Sequence, residues 1–200
     1  MKQNVFGLTG GTGCGKTTAL QVLQDLGFHI IDCDVLYHRL LQTDAELVAA
    51  IGQAFPGTVE QGILRRKVLG QQVFSDPNAL DRLNRTVWPH ITAAVHHELQ
   101  AHAPQPCAID AVALMESGLN HLCTKTFAVT APTETRVQRL MARDGISEAY
   151  ARLRMEAQPS NEVFSAACDV TLENHFPAAE AFAAVCRDRF LTILKEETPL

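Results

Sequence analysis

The sequence predicts an α/β fold in which a five-stranded parallel sheet is flanked by helices in three layers. Short apolar runs alternate with stretches whose apolar residues recur at helical spacing, and a glycine-rich turn follows the first run. This alternation is typical of parallel strands, because each needs a helical crossover to reach the next. The chain has 200 residues, 46% hydrophobic and 20% charged, which predicts one main globular domain.

The first two predicted strands lie on either side of a glycine turn and a helix. Residues 4–9 form an apolar run that predicts a buried strand. Residues 16–26 carry apolar side chains at helical spacing, and Gly27 follows as a stop signal. Residues 28–32 form a second apolar strand, and residues 35–41 are predicted to be helical.

The stretch after the second helix contains no convincing strand pattern. Gly57 and Gly62 break it into helical pieces with apolar positions that include Phe55, Leu69 and Phe74. We therefore predict a helical insertion at residues 43–104.

The rest of the chain returns to alternating strands and helices. The predicted elements are strands at residues 107–114, 127–131 and 169–172, and helices at 132–144, 147–157 and 177–195. The single domain is then divided into a core (residues 1–42, 105–135 and 165–200), the insertion (43–104) and a lid (136–164).

Composition excludes several classes of protein. A net charge of -5 argues against a general nucleic-acid binder, whose surface is usually basic. The six cysteines show no CxxC pair and no Cys/His cluster, so we expect reduced thiols rather than zinc or disulfides. The N-terminus has no signal peptide or membrane-spanning pattern, and we expect a cytoplasmic protein with no membrane partner.

Residues 10–17, Gly-Gly-Thr-Gly-Cys-Gly-Lys-Thr, match the GxxxxGK[ST] pattern of a P-loop. Backbone N–H groups of such a loop surround phosphate oxygens, Lys16 contacts the β- and γ-phosphates, and the Thr17 hydroxyl binds Mg²⁺. A strand before the motif and a helix after it make a chance match improbable. The predicted nucleotide-binding residues are Gly11, Thr12, Gly13, Cys14, Gly15, Lys16, Thr17 and Thr18.

Cys14 allows two interpretations. A thiol near a helix N-terminus can have a lowered pKa and act as a redox switch. We favour the simpler interpretation, in which Cys14 is a small residue that fills a loop position.

Three aspartates follow predicted strands. Asp32 and Asp34 end the second strand, where a carboxylate could accept the proton of an attacking hydroxyl. Asp34 could equally be a helix N-cap, and spacing alone does not separate the two roles. Asp110 follows the apolar run of residues 107–109 as a Walker-B carboxylate would, which gives weak support for a metal role.

Basic residues cluster in the lid and in the insertion. Arg136, Arg139 and Arg143 share one helical face, and arginine suits a transferring phosphoryl group. The alternative is a solvated face paired with acidic neighbours, which we prefer for Arg136, Arg152 and Arg154. Two interpretations fit the basic cluster of Arg65, Arg66 and Lys67 equally well: a binding site for an anionic acceptor, or the start of a solvated helix.

Taken together, these residues resemble the dephospho-CoA kinase family along nearly the whole chain. The segment Leu8 to Thr17 is close to that family's LTGGxGxGKS opening, and Asp32-Cys33-Asp34 with Arg39 resembles its DxD segment. Further matches lie in the insertion, the lid and the closing strand: Gly62 to Arg66, Leu83-Asn84, Pro132, Arg139, Arg143-Asp144, Gln158, Asp169 and Asn174. Trp88, Val112, Ala113 and Cys168 depart from the family's usual residues.

The resemblance implies ATP-dependent phosphorylation of the ribose 3'-hydroxyl of dephospho-CoA, the last step in making coenzyme A. It implies that Asp34 is the base, with Lys16, Arg139 and Arg143 as the other catalytic residues. Asn174 would join the nucleotide site. The implied acceptor-binding residues are Asp32, Asp34, Arg39, Arg65, Leu114 and Glu116.

Two other functions remain open at this point. One is a nucleotide or other small-metabolite kinase of the same fold. The other is an ATP-sensing regulatory switch, although the sequence has no convincing NKxD or DxxG segment of a GTPase.

Overall fold

The computed structural model describes residues 3–73 and 76–196. The chain forms two compact units, one comprising residues up to Ile30 and from His102 onwards, and the other comprising Ile31–Ala101. Phe74, one of the predicted apolar positions, lies outside the described residues.

The first unit is built on a parallel β-sheet with the strand order β2-β5-β1-β6-β7. The strands are β1 (Val5–Thr9), β2 (His29–Asp32, which crosses into the second unit), β5 (Cys107–Asp110), β6 (Lys125–Thr130) and β7 (Val170–Glu173). In the register, Val5 lies opposite Cys107 and Phe127 lies opposite Val170. The predicted five-stranded parallel sheet is confirmed, with β1 at its centre.

Helices of the first unit follow the strands. They are α1 (Lys16–Asp25), α6 (Thr133–Asp144), α7 (Glu148–Glu156), α8 (Asn161–Ala167) and α9 (Ala179–Glu196), with a short 3-10 helix at Leu119–Leu122. Ser147 begins α7 as predicted, because its side chain accepts a hydrogen bond from the N–H of Tyr150. Gly145 ends α6 in the left-handed conformation that favours glycine.

Buried aromatic side chains hold the sheet against α1 and α9. All five residues of β1 are buried, as expected for a central parallel strand covered on both faces. The Phe6 ring lies 5.0 Å from Phe127 and 6.2 Å from Phe190 of α9, centroid to centroid. This core fixes the end of β1, and therefore the start of the glycine loop.

The second unit is mainly helical. Its helices are α2 (Cys33–Thr43), α3 (Ala45–Ala54), α4 (Arg66–Val73) and α5 (Pro77–Ala101). A separate cluster of buried residues from α3, α4 and α5 forms its core, including Leu47, Ile51, Phe55, Leu69 and Val87.

Three details of the predicted elements were wrong. The insertion contains an antiparallel hairpin, β3 (Val59–Glu60) with β4 (Ile63–Leu64), whose turn residues Gln61 and Gly62 both have positive φ. The strand predicted to reach residue 114 ends at Asp110, and α8 was not predicted. The hairpin strands are too short for an alternating pattern to appear in the sequence.

No helix within the described ranges 3–73 and 76–196 is both long and apolar enough to cross a membrane.

Candidate phosphate-binding site

The P-loop, residues 10–17, connects the end of β1 to the start of α1. Because β1 lies between β5 and β6, the loop is at the carboxyl edge of the parallel sheet, where ligands bind in open α/β folds. The first N–H groups of α1 have no acceptor within the helix, so they add to the attraction for an anion.

Gly15 allows the loop to approach its support. It has a φ of 102°, and a Cβ atom there would lie 2.2 Å from Nδ2 of Asn174. Any side chain at this position would therefore be strained and would displace Asn174.

Asn174 and Arg139 hold the carbonyl side of the loop. Asn174 is buried after β7, and its Nδ2 donates to the Cys14 carbonyl at 2.9 Å. Arg139 donates to the Asn174 Oδ1 at 3.2 Å, to the Phe176 carbonyl at 3.1 Å and to the carbonyls of Gly13 and Cys14. Because C=O and N–H point in opposite directions in a trans peptide, the Gly15 N–H is directed away from Asn174.

Thr12 is held at both of its backbone polar groups. Its N–H donates to Oε1 of Gln158 at 2.7 Å, and its carbonyl accepts from Nε of Arg136 at 2.9 Å. Arg136 is only 4% exposed. Its interpretation as a solvated residue was wrong, because α6 turns this side chain under the loop rather than towards solvent.

For Arg152 and Arg154, the interpretation as solvated residues paired with acidic neighbours is confirmed. Arg152 donates to the carboxylates of Glu134 and Glu148, and Arg154 donates to that of Asp144. These exposed ion pairs join α6 to α7.

Arg143 also lies on the surface, with a side chain that is 59% exposed. It donates to both carboxylate oxygens of Asp144, and this hydrogen bonding, supported by Arg154, lowers the pKa of Asp144 to about 2. The catalytic role of Arg143 stays a prediction.

Lys16 forms an ion pair with Asp110 at the end of β5. Both side chains are largely buried, at 17% and 16% exposure. The ammonium group and the carboxylate predicted for a Walker-B position are therefore next to each other at the loop.

Cys14 is buried, and burial raises the pKa of its thiol. A raised pKa keeps a thiol protonated and unreactive. The interpretation of Cys14 as a residue that fills a loop position is confirmed.

Burial has the same effect on three further thiols. It raises the pKa of Cys123 to about 12, of Cys168 to about 11 and of Cys186 to about 12.

Two predicted acceptor residues of the first unit lie after β5. Leu114 is fully buried, and its side chain packs against Gly7 of β1. Glu116 lines a cavity of about 360 Å³ together with Thr9, Met115 and Phe164. Their roles in acceptor binding stay predictions.

The other predicted acceptor residues lie in the second unit. Asp32 is the N-cap of α2, since its Oδ1 accepts from the N–H groups of Asp34 and Val35 at 2.9 and 3.0 Å. The N-cap role considered for Asp34 was therefore wrong, because the helix begins at Cys33, two residues earlier than expected. Arg39 pairs with Glu98, and Arg65 lies 3.4 Å from Glu60.

Comparison with known proteins identifies the family. The family model described as dephospho-CoA kinase matches residues 4–180. This chain belongs to the dephospho-CoA kinase family. It is 36% identical over 196 residues to the dephospho-CoA kinase of Anaeromyxobacter dehalogenans, covering 96% of this chain and 92% of that protein. The corresponding enzyme of Salinibacter ruber is 35% identical over 174 residues, covering 84% and 87%.

A solved structure from Thermus thermophilus is also similar. It has a TM-score of 0.79 and 29% identity, and the match covers 100% of both chains.

As a dephospho-CoA kinase, the chain uses ATP and catalyses the final step of coenzyme A biosynthesis. The predicted family, fold and activity are confirmed. Sequence reasoning missed the roles of Arg136 and Gln158 in supporting the P-loop, and that of Asn161, whose Oδ1 accepts from Nη1 of Arg136 at 3.3 Å. The available signal was weak, since residues 158–161 form a polar stretch that indicates a break between helices, and Gln158 was a match to the family's lid without an assigned role.

Proposed function

We propose that the P-loop holds the phosphates of ATP while its γ-phosphoryl group is transferred to the ribose 3'-hydroxyl of dephospho-CoA. The observation that carries this proposal is that side chains outside the P-loop donate hydrogen bonds to its backbone carbonyls. The Thr12 carbonyl accepts a hydrogen bond from Arg136, the Gly13 carbonyl from Arg139 and the Cys14 carbonyl from Asn174. In the peptides of the Thr12 and Cys14 carbonyls, the N–H groups of Gly13 and Gly15 then point into the loop, where oriented dipoles stabilise developing negative charge, whereas the Cys14 N–H donates to the Gly11 carbonyl.

Lys16 has the central role at the transferred group. Its ammonium is held by Asp110 in this structure, and phosphate oxygens would offer it a stronger negative partner. Lys16 then stabilises the charge that develops on the γ-phosphoryl group in the transition state.

The donor set near the loop also fits Mg²⁺. The Thr17 hydroxyl at the start of α1 and the Asp110 carboxylate at the end of β5 are oxygen ligands, which Mg²⁺ prefers. Mg²⁺ would neutralise phosphate charge, and Thr17 would hold it, with Asp110 contributing directly or through water.

Asp34 is our proposed general base. The Asp32 carboxylate is occupied by the α2 cap, whereas Asp34 lies in the exposed first turn of that helix. Of the two carboxylates in this segment, Asp34 is therefore the one that can accept the hydroxyl proton without weakening the α2 cap. Asp32, Arg39, Arg65, Leu114 and Glu116 remain our proposed acceptor contacts, and Arg143 our proposed contact to the nucleotide phosphates.

We also propose that the enzyme works in the reducing cytoplasm. The structure gives the six cysteines as thiols, which fits that compartment.

A coupled kinase assay with Mg²⁺ and ATP tests the proposal. Product should form from dephospho-CoA and be absent with nucleoside monophosphates. A 3'-deoxy analogue of dephospho-CoA is the matched control, because it lacks only the accepting hydroxyl. Phosphorylation of that analogue would refute the assignment of the 3'-hydroxyl, and ATP hydrolysis without any phosphorylated acceptor would refute the kinase function.

A further inference from the structure

Arg136 is a buried charge without a counter-ion. It is 4% exposed, and its hydrogen bonds go to two neutral acceptors, the Thr12 carbonyl at 2.9 Å and Oδ1 of Asn161 at 3.3 Å. Its remaining nitrogen, Nη2, is buried with no hydrogen-bond partner among the described residues. An arginine keeps its charge in proteins, so this guanidinium is a positive charge largely removed from water.

Acidic residues are present near Arg136 but do not pair with it. Glu156 and Glu162 line the same cavity of about 300 Å³, yet neither lies within 4.0 Å in an ion pair with Arg136 among the described residues. Burial lowers the pKa of Arg136, and no carboxylate acts to raise it. The two hydrogen bonds offset part of the cost of burying this charge, but no carboxylate within the described residues 3–73 and 76–196 neutralises it.

The charge lies directly behind the P-loop. A Cβ atom on Gly11 would lie 2.3 Å from Nη2 of Arg136, so the guanidinium packs against the bare backbone of the loop. An anion in the loop would then be separated from the guanidinium by little more than one thickness of backbone. Coulomb interactions act more strongly across such a short distance through protein than through water.

We propose that Arg136 is a positioning residue whose buried charge, held behind the P-loop by the Thr12 and Asn161 contacts, favours binding of the nucleotide triphosphate. The inference rests on the proposed use of the loop for ATP. The phosphates supply the negative charge that no carboxylate of the described residues provides. Bound ATP and the buried charge of Arg136 therefore stabilise each other.

Gln158 takes part as the neutral partner in this arrangement. Its Oε1 accepts from the Thr12 N–H, and it lines the same cavity as Arg136. A carboxylate at this position could make the same hydrogen bond, but it would introduce a negative charge beside the loop. The neutral amide therefore leaves the positive charge of Arg136 uncancelled.

Isothermal titration calorimetry with ATP and with ADP tests the inference on the full chain. Arg136→Gln should bind ATP about tenfold or more weakly than wild type, with a smaller loss for ADP, because the interaction scales with ligand charge. Arg136→Lys keeps the charge and should restore most of the affinity. The matched control is Arg187→Gln, which removes the same charge from the exposed face of α9 and should bind as wild type does.

Gln158→Glu provides a second test that does not remove the Arg136 contacts. It should stay folded and bind ATP more weakly than wild type. In steady-state assays, both Arg136→Gln and Gln158→Glu should raise KM for ATP with little change in kcat, the signature of lost uniform binding.

Equal ATP affinity in Arg136→Gln, Gln158→Glu and Arg187→Gln would overturn the inference. If Arg136→Gln does not fold, Gln158→Glu decides the matter alone. Recovery of affinity by a neutral side chain at 136 but not by Arg136→Lys would also overturn it, since hydrogen bonding rather than charge would then be responsible. A wild-type chain that binds no ATP would instead refute the proposed function.

Discussion

Gly15→Ala should destabilise the protein far more than Gly27→Ala, although both glycines have positive φ. The added Cβ forces a backbone with φ of 102° on alanine, and it would lie 2.2 Å from Nδ2 of Asn174. Asn174 must move, and its hydrogen bonds to the Cys14 carbonyl and from Arg139 are lost.

The expected cost can be worked out from these contacts. A left-handed conformation costs a residue with a side chain about 1 kcal/mol or slightly more. Each of the two lost hydrogen bonds adds about 1 kcal/mol. Gly15→Ala should therefore lower the free energy of unfolding by about 3 kcal/mol.

Gly27→Ala is the matched control. Gly27 has a φ of 89°, and no atom lies within 4 Å of a Cβ built there. Only the conformational cost applies, so the expected loss is about 1 kcal/mol. Urea denaturation followed by circular dichroism measures both variants.

A double mutant tests the cause of the difference. In an Asn174→Ala background the side chain that Gly15→Ala displaces is already gone, so the second change should cost only about 1 kcal/mol. Equal losses for Gly15→Ala and Gly27→Ala would refute this reasoning. So would an unchanged cost of Gly15→Ala in the double mutant.

Three further predictions concern turnover and pH. Lys16→Ala should remove most kinase turnover in the coupled assay, while Lys195→Ala on the exposed end of α9 should not; retained turnover in the first variant would contradict its role. Asp34→Asn should lower kcat with ATP still bound by calorimetry, and wild-type rates would exclude Asp34 as the base. Although burial acts to raise it, hydrogen bonds from the hydroxyl and N–H of Thr126 hold the pKa of Asp169 below its usual value. The stability they supply is present above the unfolded pKa of about 4 and is lost as pH falls through the folded value, so Asp169→Asn should destabilise at pH 7 and progressively less at low pH in denaturation experiments.

The P-loop could be predicted because its chemistry lies in backbone geometry that a short motif encodes. Glycines, a lysine and a threonine at set spacing define the phosphate site before any tertiary contact is known. The parallel sheet could be predicted because buried parallel strands are continuously apolar and alternate with helices along the chain.

The support of the loop could not be predicted in the same way. Helical spacing places Arg136, Arg139 and Arg143 on one face, but it does not say which of them lies beneath the loop. That depends on the bare backbone of Gly11, which leaves room for a guanidinium from a distant helix.

A similar ambiguity affected the aspartates after β2. Asp32 and Asp34 are both good capping residues, and their order along the chain does not reveal where α2 begins. The hairpin in the insertion could not be predicted for a different reason. Its strands have only two residues each, which is too short for an alternating pattern.

The raised pKa values of the cysteine thiols matter for an enzyme whose product is itself a thiol. Coenzyme A and its disulfides exchange with protein thiols through the thiolate form. With pKa values of about 11 to 12, Cys123, Cys168 and Cys186 are almost entirely protonated at neutral pH. Burial thus disfavours mixed disulfides between these three thiols and the compound that the kinase makes.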